Sequence, residues 1–169
     1  MPRRLGRWLA TGLVLQALTA CVGPLAAQTE QPPGLAEVGQ KVEFGDVALT
    51  VTSVERTDQI GSGQRLEQVS RPLQAGEGKV FIVANVTLEN KGQYRLLFQP
   101  AQFTVHDSHG TAYNAGVTAG AQPLGRGELE PGKDASGVVN FVVPQDAQDF
   151  ILTYRIPNRD YSISVRLGV

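Results

Sequence analysis

The sequence is poorest in the residues that carry chemistry. Of its 169 residues, one is cysteine, one methionine, one tryptophan and two are histidine. The single cysteine, Cys21, excludes an intramolecular disulfide. Met1 is the only methionine, so no thioether is left for a copper carrier. A Ser-His-Asp arrangement would have to use His106 or His109, and Gly-x-Ser-x-Gly, His-Glu-x-x-His and P-loop motifs are missing. The mostly apolar stretch from Trp8 to Ala20 is shorter than the roughly 20 residues that span a bilayer as a helix. Acids are absent from the first twenty residues, which hold Arg3, Arg4 and Arg7. Without that stretch, 12 basic and 16 acidic residues remain, a formal charge of −4 against −1 for the whole chain. A mildly acidic domain with no Lys/Arg cluster repels phosphate backbones, which argues against a nucleic-acid partner.

What is present begins with an address. Three arginines followed by a short apolar run describe a secretory signal peptide over residues 1–20. The run ends in Leu18-Thr19-Ala20-Cys21, which resembles the bacterial lipobox. That resemblance implies diacylglyceryl on the Cys21 sulfur, cleavage after Ala20 and acylation of the new amine. Two other readings stay open: ordinary cleavage after Ala27, at Leu25-Ala26-Ala27, and a buried structural cysteine. The Arg3-Arg4 pair lacks the rest of a twin-arginine pattern and reads as ordinary positive charge. Residues 21–37 contain Gly23-Pro24 and Pro32-Pro33-Gly34 with no period of either kind, and are expected to be a flexible tether. Val22 is not the Asp that retains some lipoproteins at an inner membrane, so the membrane and leaflet stay open.

Residues 38–169 read as one all-β domain. Val80, Ile82, Ala84, Val86 and Leu88 alternate with Phe81, Val83, Asn85 and Thr87. Val139, Phe141 and Val143 repeat the pattern, as do Phe150, Leu152, Tyr154 and Ile156, and then Tyr161, Ile163, Val165 and Leu167. Strict alternation puts one apolar row on each strand's inner face, so these rows are expected to meet in a shared core. In Val47, Leu49, Val51 and Val54 the phase slips by one, which predicts a bulge. Asn90-Lys91-Gly92, Asp107 to Gly110, Pro131-Gly132 and Pro157 to Asp160 fall between the rows as turns. Short strands with frequent turns and no βαβ spacing predict a two-sheet antiparallel sandwich.

A family resemblance rests on several of these segments in order. They are Val38 to Val42, Leu49 to Val54, Gly78 to Val83, Val86 to Gly92, Phe103 to Val105, Gly110 to Tyr113, Leu129 to Gly132 and Gly137 to Pro144. Together they resemble the immunoglobulin-like domain of bacterial secreted lipoproteins in the immunoprotective-extracellular superfamily, over roughly Val38 to Val169. The resemblance implies an immunoglobulin-like sandwich and carries over no catalytic or cofactor-binding residue. One departure is the insert between Glu55 and Lys79, longer than the family's usual connection.

Three clusters invite a chemical reading. His106-Asp107-Ser108-His109 offers two imidazoles and a carboxylate, but a metal wants three or four converging groups, and turn geometry already demands Asp and Gly there. Glu128 and Glu130 share a strand face, yet they border a Pro-Gly turn with no aromatic platform for a sugar. Both read as structural, so no cofactor, metal or catalytic residue is expected. The insert from Arg56 to Gly78 is the most informative segment, with Gly61-Ser62-Gly63, Gln59, Gln64, Gln68 and Gln74. Loops this long in compact domains are usually binding loops or disordered, and a hairpin extension is the plain alternative. The candidate partner-binding residues are Arg56, Arg65, Leu66, Val69, Arg71 and Leu73. The expected function is a non-catalytic, lipid-anchored envelope module that binds an envelope protein or another ligand. The alternatives are a protease inhibitor acting through the insert and a metal-binding or enzymatic envelope protein. Cys21→Ala should move the protein to the soluble fraction or leave an unprocessed precursor. A mutant that fractionates with membranes at mature size would contradict the anchor.

Overall fold

The alternating rows become strands in the computed structural model, which describes residues 34–61, 72–116 and 122–169. The proposed leader, Cys21 and most of the tether lie outside the described residues. In chain order the first strands are β1 (Ala36–Glu37), β2 (Lys41–Phe44), β3 (Val47–Thr57), β4 (Gln59–Ile60), β5 (Leu73–Gln74) and β6 (Lys79–Asn90). Then follow β7 (Leu96–Phe98), β8 (Phe103–His106), β9 (Ala112–Asn114), β10 (Gly127–Leu129), β11 (Asp134–Pro144), β12 (Ile151–Arg155) and β13 (Ser162–Arg166). One sheet has the order β1-β13-β12-β8-β9 and the other β11-β6-β3-β2. Two ribbons, β7–β10 and β4–β5, complete the described strands. The all-β sandwich expected from the sequence is therefore the architecture that forms.

The two large sheets close on one core. From one side come Leu49, Val51, Ile82, Ala84, Val86, Leu88 and Phe141; from the other come Phe103, Val105, Leu152, Tyr154, Ile163 and Val165, all essentially buried. Each buried Val, Leu, Ile or Phe among them contributes about 1.5–3 kcal/mol relative to exposure. The Phe103 and Tyr154 rings lie 4.7 Å apart, and burial pushes the Tyr154 phenol well above its ordinary value.

β3 carries the expected bulge. Its register with β6 shifts between Val51 and Ser53, so Thr52 is the extra residue. Val47, Leu49 and Val51 face inward before it, and Val54 and Arg56 face inward after it, opposite Ala84 and Ile82. The turn residues also act as expected. Asn90 is buried and donates to the carbonyls of Tyr94 (2.7 Å) and Leu129 (2.8 Å), while its Oδ1 accepts the Gly92 N–H at 3.0 Å.

Two features depart from the sequence reading. Ala36 and Glu37, placed there in the tether, form β1, which runs parallel to β13 with Ala36 opposite Val165. Ala36 is buried and Glu37 pairs with Arg166 at 3.1 Å, so the domain starts two residues earlier than its period-two rows suggest. Two residues are too few to show a period. The second is at Gln122 to Leu124, an irregular stretch with no period in the sequence, which covers the outer edge of β11 in part. Leu124 donates to the Val138 carbonyl at 2.9 Å, and a Cβ on Gly137 would come within 2.7 Å of the Leu124 backbone.

The sandwich has two distinct ends. At one, the Gly45-Asp46 turn meets the β12–β13 loop, through Arg159 and Asp46 at 3.4 Å and an edge-on contact of Phe44 with Tyr161 at 4.3 Å. At the other, the end of β3 meets the loop between β11 and β12, and the insert leaves from there.

Candidate functional site

The insert is built outward from the bulge. Because Thr52 is looped out, Arg56 falls on the inner face at the rim of the core. Its guanidinium donates to the Ala147 carbonyl at 3.0 Å and to the Gln145 carbonyl, tying β3 to the β11–β12 loop. Past Thr57 the chain turns into β4 and returns as β5, with Gln59 opposite Gln74 and Ile60 opposite Leu73. The Ala75 N–H donates to the Asp58 carbonyl at 2.9 Å, and Gln74 donates to the Gln59 side chain at 3.1 Å. Gly76 and Gly78, at φ 97° and 68°, make the return to β6 in a conformation other residues rarely adopt.

This ribbon is fastened by a second small core. Phe81, Val83 and their neighbours lie on the outer face of the four-stranded sheet, where solvent would be expected. Ile60 and Phe81 are buried against each other there, with Ala75 and Val83 packed around them. Leu73 and Val142, at 41% and 38% exposure, leave apolar surface beside it. Of the six candidate partner-binding residues, Arg56 is therefore held as a clamp and Leu73 sits exposed on the ribbon. Arg65, Leu66, Val69 and Arg71 lie outside the described residues.

The His106-Asp107-Ser108-His109 segment is a turn organised by its carboxylate. Asp107 Oδ1 accepts the N–H groups of His109 and Thr111, both at 2.9 Å, and Oδ2 accepts the Tyr113 hydroxyl at 2.9 Å. His106 belongs to the outer face of β8, opposite Ala112 and Ile151, while His109 is in the turn itself. Among the described residues no three His, Cys, Asp or Glu side chains converge as a metal site would require. Glu128 and Glu130 are bridged by one exposed arginine, with Arg95 Nε 2.8 Å from Glu130 and its Nη1 3.4 Å from Glu128. That places the carboxylate pair in a surface ion cluster across β7 and β10.

A groove of about 590 Å³ lies on the outer face of the five-stranded sheet. Gln102, Thr104, His106, Asn114, Thr153 and Arg155 line it, and the β12–β13 loop forms one rim. Apart from His106, none of these residues stands out in the sequence. The available signal was the polar half of each alternating row, which reads as ordinary solvent-facing surface.

The fold and these surfaces define a small β-sandwich domain whose distinguishing features are an attached ribbon and a polar sheet face. The chain belongs to the domain of unknown function family DUF4352, whose model matches residues 36–163. No curated protein matches the chain. Among solved structures it is similar to the yjhA protein of Bacillus subtilis, with TM-score 0.59 and 19% identity over 79% of this chain and 100% of that one. It is also similar to ycdA of Bacillus subtilis, provisionally described as a lipoprotein, with TM-score 0.59 and 14% identity over 79% of this chain and 39% of that one. A third is an uncharacterized β-sandwich protein of Clostridium difficile, with TM-score 0.51 and 15% identity over 82% and 97% of the two chains. At these identities the likeness is one of fold.

Burial alone would raise the Asp107 carboxyl, but hydrogen bonds from Thr111, Tyr113 and His109 outweigh it and hold the group below its ordinary value. A depressed folded value stabilises the domain above the unfolded value of about 4, and that contribution fades as pH falls through the folded value. Asp107→Asn should therefore melt below wild type at pH 7, with the gap narrowing on acidification below about pH 4. A gap that stays constant from neutral to acid pH would show that the charge of Asp107 does not support the turn.

Proposed function

We propose that this chain is a non-catalytic, lipid-anchored module of the bacterial envelope that presents its insert to a protein partner. The observation that carries the reading is the mounting of the ribbon. A loop that merely links two strands needs neither a private apolar core nor a clamp at its base. This one has Ile60 and Phe81 beneath it and Arg56 across its root. Preformed support of this kind lowers the ordering cost that a loop meets on binding.

The direction of the chain supports the same reading. β1 runs parallel to β13, so Gly34 and Leu35 lead into it from the side of the β12–β13 loop. The ribbon leaves from the opposite end. A lipid anchor on Cys21 ahead of β1 is compatible with an insert presented away from the lipid surface. An extracytoplasmic location follows from the leader and lipobox, and the likeness of fold to ycdA is consistent with it. Asp107, Glu128 and Glu130, the acids that looked chemical in the sequence, are engaged in a turn and a surface ion cluster, which supports binding over catalysis.

The test is in-cell crosslinking of the tagged full-length protein against a variant in which residues 62–71 are replaced by a short Gly-Ser turn. This variant keeps Arg56, β4 and β5, so the sandwich and the ribbon base are preserved. A partner captured by wild type and lost from the variant is the expected result. Identical capture by both forms would place the binding surface elsewhere.

A further inference from the structure

The polar groove on the five-stranded sheet is separate from the ribbon and from the reading above. The register fixes its layout. Thr104 stands opposite both Thr153 and Asn114, and His106 opposite Ala112. Arg155 stands opposite Ser162, and the antiparallel pairing continued by one residue brings Gln102 to its other side. Phe103, Val105, Leu152, Tyr154 and Ile163 alternate with these residues and are sealed in the core. The polar set is therefore held outward by the core itself, on strands that cannot rotate without losing that core.

The chemistry of the set is uneven in an informative way. Its floor is made of hydroxyls and amides, which donate and accept equally well and so match a ligand rich in hydroxyl groups. Arg155 stands over one side, its exposed side chain making no hydrogen bond or ion pair to any described residue. Arg159 borders the groove but is engaged with Asp46 at 3.4 Å, and Asp160 is the one acid on the rim. Tyr161 borders the groove at its rim, its ring packed edge-on against Phe44 at 4.3 Å on the core side. An unengaged guanidinium is suited to a planar or tetrahedral anion, which it can meet with two parallel hydrogen bonds. The groove volume also falls within the range usual for small-molecule sites.

We propose that this face binds a small hydroxylated anion of the sugar-acid or sugar-phosphate class. The anionic group meets Arg155, and the ring hydroxyls meet Thr104, Asn114 and Thr153. The shared chemistry is one negative group on a polyhydroxylated ring, and the two sources differ only in whether that group is carboxylate or phosphate.

The experiment is titration calorimetry on the detergent-solubilised full-length protein with glucuronate, glucose 6-phosphate, glucose and inorganic phosphate as separate probes. The proposal expects glucuronate or glucose 6-phosphate to bind at least tenfold more tightly than glucose or phosphate. The stronger of the two identifies the anionic group. Arg155→Gln should weaken that binding about tenfold, the loss of one charge-assisted contact. Thr153→Val should weaken it severalfold with Arg155 intact, which keeps the test decisive should either variant prove unstable. Three results would overturn the proposal: no binding of either hydroxylated anion, equal binding of glucose or of bare phosphate, or binding unchanged in both variants. Deleting residues 62–71 should leave this binding as it is, so the groove and the ribbon fail or stand separately.

Discussion

One extra residue in β3 governs much of what surrounds it. Without the bulge at Thr52, period-two alternation would turn Ser53, Glu55 and Thr57 into the sandwich and leave Val54 and Arg56 in solvent. The bulge reverses that assignment halfway along the strand. Val54 then packs against the core, and Ser53 meets the Asn85 side chain at 2.9 Å on the outer face. Arg56 arrives at the one place where its guanidinium can join β3 to the β11–β12 loop. Thr57 is left outward, its hydroxyl donating to the Gln59 carbonyl at 3.0 Å where the ribbon begins. The shape of the insert is thus set four residues before it starts.

That dependence explains which parts of the fold were legible. A phase slip is visible whenever apolar residues flank it, and Val51 followed by Val54 displays it plainly. Turns were legible because their chemistry is local. Asn90 and Asp107 each satisfy nearby N–H groups, so their identity and spacing announce the turn without knowledge of the rest of the molecule. β1 was hidden because its partner, β13, lies at the far end of the sequence. The covering of β11 by Leu124 was hidden for a similar reason: a parallel contact from an irregular segment leaves no periodic trace.

The candidate sites divide along the same line. The insert announces itself by length and composition, but its attachment does not. Phe81 sits on the half of the β6 row that alternation assigns to solvent, and only the ribbon lying over it turns that position into a core. Arg56 looks in the sequence like a free cation at the edge of a loop, while the fold uses it to close the sandwich. The groove is the extreme case. Thr104, Thr153, Arg155 and Ser162 come from three strands, and each alone is an unremarkable outward residue. Their meaning comes from being neighbours across strands, which is a property of register.

The central claim is that the ribbon is mounted on a small core of its own, separate from the core between the sheets. Residue-resolved hydrogen exchange on the full-length protein, with Ile60→Ala beside wild type, tests it directly. Wild type should protect the Ala75 amide, which donates to Asp58, and Ile60→Ala should abolish that protection while the β3–β6 ladder stays protected. A wild-type Ala75 amide that exchanges as fast as an open chain would contradict the account. So would an Ile60→Ala protein in which ribbon and sandwich lose protection together.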